Sequence, residues 1–462
     1  MRRIAFVLLI AALSVGIGCG GGSSSSSKDS NTIVTSGHNV APLIVDAGPA
    51  PATNPQVNMV FTTVVVCVPN STTNCVTIDH VLVDTGSTGL RIPASAFAGF
   101  SNGATVLAAL QNVNPSAPVA ECMQFLDNSF FWGAVKSADV KMGGADNTGE
   151  VASSVPIHIL GDTSVPSRSS IPSTCSTVTQ VNGTKTTGTE EDTVAALGAN
   201  GLLGVGNYQY DCDVLGYSNP CTSASNAPSG MYYSCSGSSC SVAAVQTAQQ
   251  VRNPVSLFAD NNGVIIELPA VPAGGQAGIS AGQGSLVFGI GTQANNVLSS
   301  SAVVLPLDSN PSDAAWLGIT TVFNGVSYPN STSSIGSFLD SGSNGMFFLD
   351  QPTSKIPACG GWYCPTSAQS LTATNRAANG NSRKHQFTVS NAETLFNSNS
   401  GNNTAFSDLA GPNTSGVPNA ATQAADGYFD WGLPFFFGRN VYVAIWQVTP
   451  PSGVAAGPFW AY

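Results

Sequence analysis

Two short stretches carry residues that could do chemistry together. Val81-Leu82-Val83 runs into Asp84-Thr85-Gly86-Ser87, and Phe338-Leu339 runs into Asp340-Ser341-Gly342-Ser343. In each, an apolar run ends on a carboxylate, followed by a hydroxyl residue, a glycine and a serine. A carboxylate at the end of a buried strand is costly unless it is hydrogen bonded, and Gly lets the backbone turn beside it. A single such element reads as an Asx turn. Its return in the second half of a 462-residue chain predicts that Asp84 and Asp340 meet, as an acid–base pair would require.

The elements that must position them repeat as well. Asn58 to Cys67 and Val76 to Val83, rich in Val and Thr, read as a hairpin that delivers Asp84. Trp316 to Val322 and Val326 to Tyr328, joined by Asn324-Gly325, read as a second hairpin, after which Ile335 to Leu339 delivers Asp340. Each half then carries two apolar residues and a glycine: Leu202-Leu203-Gly204 and Phe436-Phe437-Gly438. Residues 94–110 are expected to be partly helical. Residues 365–383 and 397–426 are expected to be loops, and a last strand is expected over Tyr442 to Gln447.

Composition agrees with many short strands. Hydrophobic residues make up 42% and charged residues 8%, with 49 Gly and 28 Pro, which favours strands and turns over long helices. A net charge of −11 excludes nucleic acid and anionic lipid as partners, since either needs a basic face.

Arg2 and Arg3 precede an apolar run to Ile17 that is too short for a membrane span, so residues 1–18 read as an export signal. Gly18-Cys19, followed by Gly and Ser, resembles the lipobox of bacterial lipoproteins, in which the cysteine is acylated; Gly16 departs from it where Leu is usual. Residues 19–40 read as a tether, 41–297 as an N-terminal lobe and 298–462 as a C-terminal lobe. Apart from Cys19, ten of the 11 cysteines suit disulfides in an oxidising compartment. Cys67/Cys75, Cys235/Cys240 and Cys359/Cys364 each can staple a short loop. Cys122, Cys175, Cys212 and Cys221 supply two more bridges of open connectivity, and 207–244 reads as a disulfide-held excursion. No C-x-x-C pair is present and the four His are scattered, so neither a metal nor another cofactor is expected.

With both Asp-(Thr/Ser)-Gly-Ser elements and both apolar-apolar-Gly elements, the chain resembles the pepsin-like aspartic peptidases over roughly residues 55–460. It is also similar to uncharacterised bacterial envelope proteins known only as a domain of unknown function. The resemblance to the peptidases implies an all-β fold of two lobes related by a pseudo-twofold axis, with a substrate cleft between them. It implies Asp84 and Asp340 as catalytic carboxylates that share one proton and activate a water. It assigns Ser87 and Ser343 to hydrogen bonds on the carboxylates. It assigns Thr85 and Ser341 to cross-links between the loops, Gly86 and Gly342 to close backbone approach, and Leu203, Gly204, Phe437 and Gly438 to segments beside the aspartates. A monomer acting on peptides in the cleft is expected, touching a membrane only through Cys19. Two departures stand out: Arg91 occupies the family's Trp position, and the flap, Met123 to Gly133, contains no Tyr. These favour a rival reading, a catalytically silent binding protein with the same fold.

Overall fold

The computed structural model describes residues 31–49, 56–125, 127–167, 170–179, 185–224, 231–329, 336–413 and 427–462. The proposed signal, Cys19 and most of the tether lie outside them, as do Ile335 and Asp426.

The chain is mostly β, and seventeen strands among the described residues hydrogen-bond into one sheet. Its spine is Val60–Cys67 paired antiparallel with Cys75–Asp84, the hairpin expected from the Val/Thr pattern. Alternate residues of both strands, Val64, Val66, Val76, Ile78, Val81 and Val83, are buried in the main core. That burial carries the last turn of the second strand, and Asp84 with it, into the interior.

Strands from both sides of residue 298 share this sheet. Gly263–Leu268 pairs with Arg439–Ala444, which pairs in turn with Phe459–Ala461. Phe459–Ala461 also pairs with Val304–Pro306. The final long strand is thus Arg439–Ala444, earlier than the expected Tyr442 to Gln447: past Ala444 the Ile445 and Trp446 N–H groups donate to Asn262 O and Asn207 O instead, and Gln447 turns with a left-handed φ of 59°.

Smaller sheets complete the second half. Thr320–Phe323 and Val326–Tyr328 form the expected hairpin around Asn324-Gly325. Beside it, Gln369–Arg376 pairs with Ser382–Val389. Residues 365–383 are therefore not a loop. Ser370, Thr372, Thr374 and Arg376 fill the outward positions of Gln369–Arg376, while Ala373 and Asn375 point inward and are buried. Short helices occupy Ala94–Phe97 and Gly103–Ala109.

Five disulfides join Cys67–Cys75, Cys122–Cys175, Cys212–Cys221, Cys235–Cys240 and Cys359–Cys364. They resolve the open connectivity and fit an oxidising environment, extracellular or periplasmic. No helix among the described residues is long and apolar enough to cross a membrane.

Candidate active site

The two aspartate loops are built the same way. Cys75–Asp84 ends on Asp84, and Gly201–Val205 runs parallel to it, with Gly204 opposite Asp84, while pairing antiparallel with Thr88–Pro93. In the second half, Phe338–Leu339 leads into Asp340. Phe429–Trp431 runs parallel to it and antiparallel to Met346–Phe348. Within each loop, the glycine N–H donates to the aspartate's Oδ1, Gly86 to Asp84 at 2.7 Å and Gly342 to Asp340 at 2.8 Å. The serine hydroxyl reaches Oδ2: Ser87 to Asp84, and Ser343 to Asp340 at 2.9 Å.

The loops also grip one another. Thr85 N–H donates to Ser341 Oγ at 3.1 Å, and Ser341 N–H donates to Thr85 Oγ1 at 2.9 Å. Each hydroxyl then donates to a backbone carbonyl on the far side, Thr85 to Leu339 at 2.9 Å and Ser341 to Val83 at 2.7 Å. Side chains at either glycine would destroy this approach. A Cβ on Gly86 would stand 2.8 Å from Asp340 Cγ, and one on Gly342 would stand 2.6 Å from Asp84 Oδ1. Each glycine therefore lies against the other loop's carboxylate.

Leu203 and Gly204 lie beside Asp84 as expected, and a Cβ on Gly204 would meet the Thr88 nitrogen at 2.5 Å. Phe437 and Gly438 do not occupy the matching place. Gly438 turns the chain into Arg439–Ala444, its N–H donating to Leu268 O at 3.0 Å. The segment beside Asp340 is Phe429-Asp430-Trp431-Gly432. The Trp431 carbonyl accepts from Asp340 N–H at 3.0 Å, and a Cβ on Gly432 would meet Ser343 O at 2.6 Å. An aspartate where an apolar residue was expected hid this segment from the pattern; the surviving signal was Trp431-Gly432.

That aspartate is a third carboxyl in the site. Ser343 Oγ stands 2.9 Å from Asp340 Oδ2 and 2.7 Å from Asp430 Oδ2. A hydroxyl has one hydrogen to donate, so one of the two carboxyls must be protonated to complete both bonds. Burial, foremost, and the Asp84 and Asp430 charges push Asp340 well above the usual carboxylate range. Burial also pushes Asp430 up to about 8, against the Ser343 hydrogen bond and with repulsion from Asp84. Asp430 Oδ1 is buried without a hydrogen-bond partner.

The three carboxyls open on a cleft of about 820 Å³. Met123, Phe125 and Phe131 line it from the first half of the chain, and Phe338, Tyr428 and Trp460 from the second. The first three belong to a hairpin of Val119–Gln124 and Ser129–Met142, with Phe125 packed edge-on to Phe131. Its other face, with Cys122, Phe130 and Trp132 buried, packs on Tyr233 and is tied through Cys122 to Cys175.

Arg91 lies fully buried between this hairpin and the Asp84 loop. Its guanidinium pairs with Glu121 at 2.6 Å and Asp211 at 3.3 Å, and donates to Thr88 O at 2.6 Å. His158 Nδ1 lies 3.0 Å from the other Glu121 oxygen, and Tyr232 donates to Asp211 at 2.7 Å. Burial works against a charge on Glu121, but Arg91 and then His158 pull it well below its ordinary range. Burial and the Glu121 charge push Asp211 well above its own. The cluster thus centres on the Arg91–Glu121 ion pair, with Asp211 pushed toward its neutral form beside it. Tyr232–Ser236 from the Cys-rich excursion pairs with Val119–Gln124, so the excursion supports the hairpin's outer edge.

The family model described as "Protein of unknown function (DUF3443)" matches residues 35–462. Among solved structures, an aspartic proteinase from Irpex lacteus is similar at 15% identity and a TM-score of 0.43, over 88% of this chain and 93% of that one. No curated protein matches.

Proposed function

We propose that the chain, which belongs to the DUF3443 family, is an aspartic endopeptidase whose Asp84–Asp340 pair activates water against a peptide carbonyl. The observation that carries this reading is the mutual placement of each loop's glycine against the other's carboxylate, within a cleft large enough for an extended peptide. Two carboxyls held so close share a proton. The ionised one takes a proton from water as the water oxygen bonds to the carbonyl carbon; the protonated one delivers its proton to the carbonyl oxygen. The resulting tetrahedral species collapses with protonation of the amide nitrogen and cleavage of the C–N bond. Asp430 belongs to this machinery as a proton-holding neighbour of Ser343.

The accompanying fold reading is two related lobes about the cleft, supported by the identical strand pattern around the two aspartates. The accompanying cellular reading is an exported bacterial envelope protein, anchored through acylated Cys19 and acting as a monomer on peptide or protein substrates. One observation favours the rival, a silent peptide-binding protein: the hairpin over the cleft offers Phe125 and Phe131, with no Tyr, where a hydroxyl would reach a substrate backbone.

Digestion of an unbiased peptide library across pH 3–8 separates the two. Cleavage by the wild type that disappears in both Asp84→Asn and Asp340→Asn supports the peptidase. Cleavage surviving either substitution, or none at any pH, rejects it; peptides retained intact by the wild type would then support the binder.

A further inference from the structure

Away from the cleft, three residues remote in sequence converge. His38 precedes strand Val40–Val45, Glu150 opens strand Glu150–Leu160, and Asp260 lies in the turn before Gly263–Leu268. His38 Nε2 stands 3.2 Å from Asp260 Oδ2 and 3.8 Å from Glu150 Oε1. All three potential ligand atoms lie within 4.8 Å of one another. The two carboxylate side chains are 0% and 2% exposed, and the imidazole 53%.

The surroundings orient these groups from behind. Glu150 Oε2 accepts from Ala259 N–H at 2.8 Å, and Gln293 Nε2 donates to Asp260 at 3.2 and 3.3 Å. Glu150 Oε1 is left buried with no hydrogen-bond partner, on the side facing His38. No Lys or Arg among the described residues pairs with either acid. Two adjacent buried carboxylates without a fixed cation are costly. Backbone glycines make the convergence possible: a Cβ on Gly149 would stand 2.0 Å from His38 O.

We propose that His38, Glu150 and Asp260 form a zinc site that clips residues 31–39 to the body of the protein. Ligands bound tetrahedrally at about 2.0 Å are roughly 3.3 Å apart; His38 already stands 3.2 and 3.8 Å from the two acids, and with every pair within 4.8 Å, side-chain closure of about 1.5 Å at most completes the set. One imidazole with two carboxylates suits zinc, whereas calcium and magnesium want oxygen ligands in greater number. The exposed edge of His38 leaves water as the fourth ligand. The segment being clipped is already guided to this place, with Asn31 donating to Leu268 O at 2.6 Å and Asn39 to Phe288 O at 3.0 Å. None of the three ligands lines the cleft, so the site does not depend on the peptidase reading.

The test is calorimetric titration of the chelator-stripped, untagged chain at pH 7.5 with zinc chloride and, separately, calcium chloride. Expected are one zinc per chain, a higher Tm with zinc, and no calcium binding. His38→Ala, at a half-exposed position that leaves the fold intact, should weaken zinc by roughly tenfold or more, and Glu150→Gln should abolish binding. Should Glu150→Gln fail to fold, the His38→Ala titration decides alone. No zinc bound up to about 100 µM, zinc binding unchanged in His38→Ala, or calcium bound as tightly as zinc would each overturn the site.

Discussion

Thr85 and Ser341 hold each other's backbone. Each hydroxyl accepts the other residue's N–H and donates to the carbonyl two residues before it. Thr85→Val keeps the volume and removes one donor and one acceptor from a buried ring of four bonds. It should cost about 1–3 kcal/mol of stability, and it should lower kcat more than it raises KM, because the loops lose alignment. Denaturant unfolding alongside peptide-cleavage kinetics checks both. An unchanged kcat would show that the grip serves folding alone.

Asp340→Asn should lower cleavage by about 10³-fold or more and yet stabilise the protein at alkaline pH. Asp340 binds its proton far more tightly in the fold than unfolded. Stability carried by such a group is full below the unfolded pKa, near 4, and is lost as pH rises through the folded one. The variant's advantage should therefore be absent near pH 4 and grow toward pH 8, as measured by urea titrations at each pH.

Asp430→Asn keeps a hydrogen-bond donor to Ser343 but no ionisable proton. As pH rises, wild-type Asp430 can give up its proton near 8, and its charge then helps Asp340 keep the one the pair needs. Without it, the alkaline limb of kcat/KM should move down by roughly one pH unit. The groups facing Asp430 are Asp84, Asp340 and Ser343, with Tyr428 two residues earlier, just before the strand. His385 packs instead on the neighbouring Trp431. An unmoved limb would reduce Asp430 to a structural role.

Arg91→Ala should destabilise by about 3–5 kcal/mol, because it strands the buried Glu121 charge. Glu121 lies on the hairpin over the cleft, so the loss should appear first as faster hydrogen exchange in residues 119–142.

His385 sits among Trp431, Phe435 and Phe387 with both ring nitrogens unpaired, and burial pushes its pKa down to about 3. The unfolded chain takes up that proton between about pH 6.5 and 3 while the folded chain does not, so stability falls with acid across this window. His385→Phe should narrow the stability difference between pH 7 and pH 4 by on the order of 2–3 kcal/mol.

Much of the site was legible because its local chemistry is written in consecutive residues. An apolar run, an aspartate, a hydroxyl and a glycine specify both loops, and Leu203-Gly204 specifies the strand beside the first. The partner of the second was misplaced because Asp430 occupies an apolar slot, and the Phe-rich run at Phe435-Phe436-Phe437 imitated the pattern a few residues later. Strands Gln369–Arg376 and Ser382–Val389 were missed because half-exposed strands made mostly of polar and charged residues have the composition of a loop. The Arg91 cluster draws on residues from 91 to 232 and the His38 convergence on residues from 38 to 260, and no local spacing rule reaches that far.

Strand Arg439–Ala444 lies between Gly263–Leu268 and Phe459–Ala461, and Phe429–Trp431 buttresses Asp340. Four of the five disulfides span nine residues or fewer, so those staples can close as the chain emerges. The large sheet, by contrast, stays open along Gly263–Leu268 until residues near 440 arrive to fill it. Asp84 is in place early and Asp340 late. A chain still being made therefore carries two separated carboxylates, and the pair comes into being only once the strands of residues 429–444 have arrived.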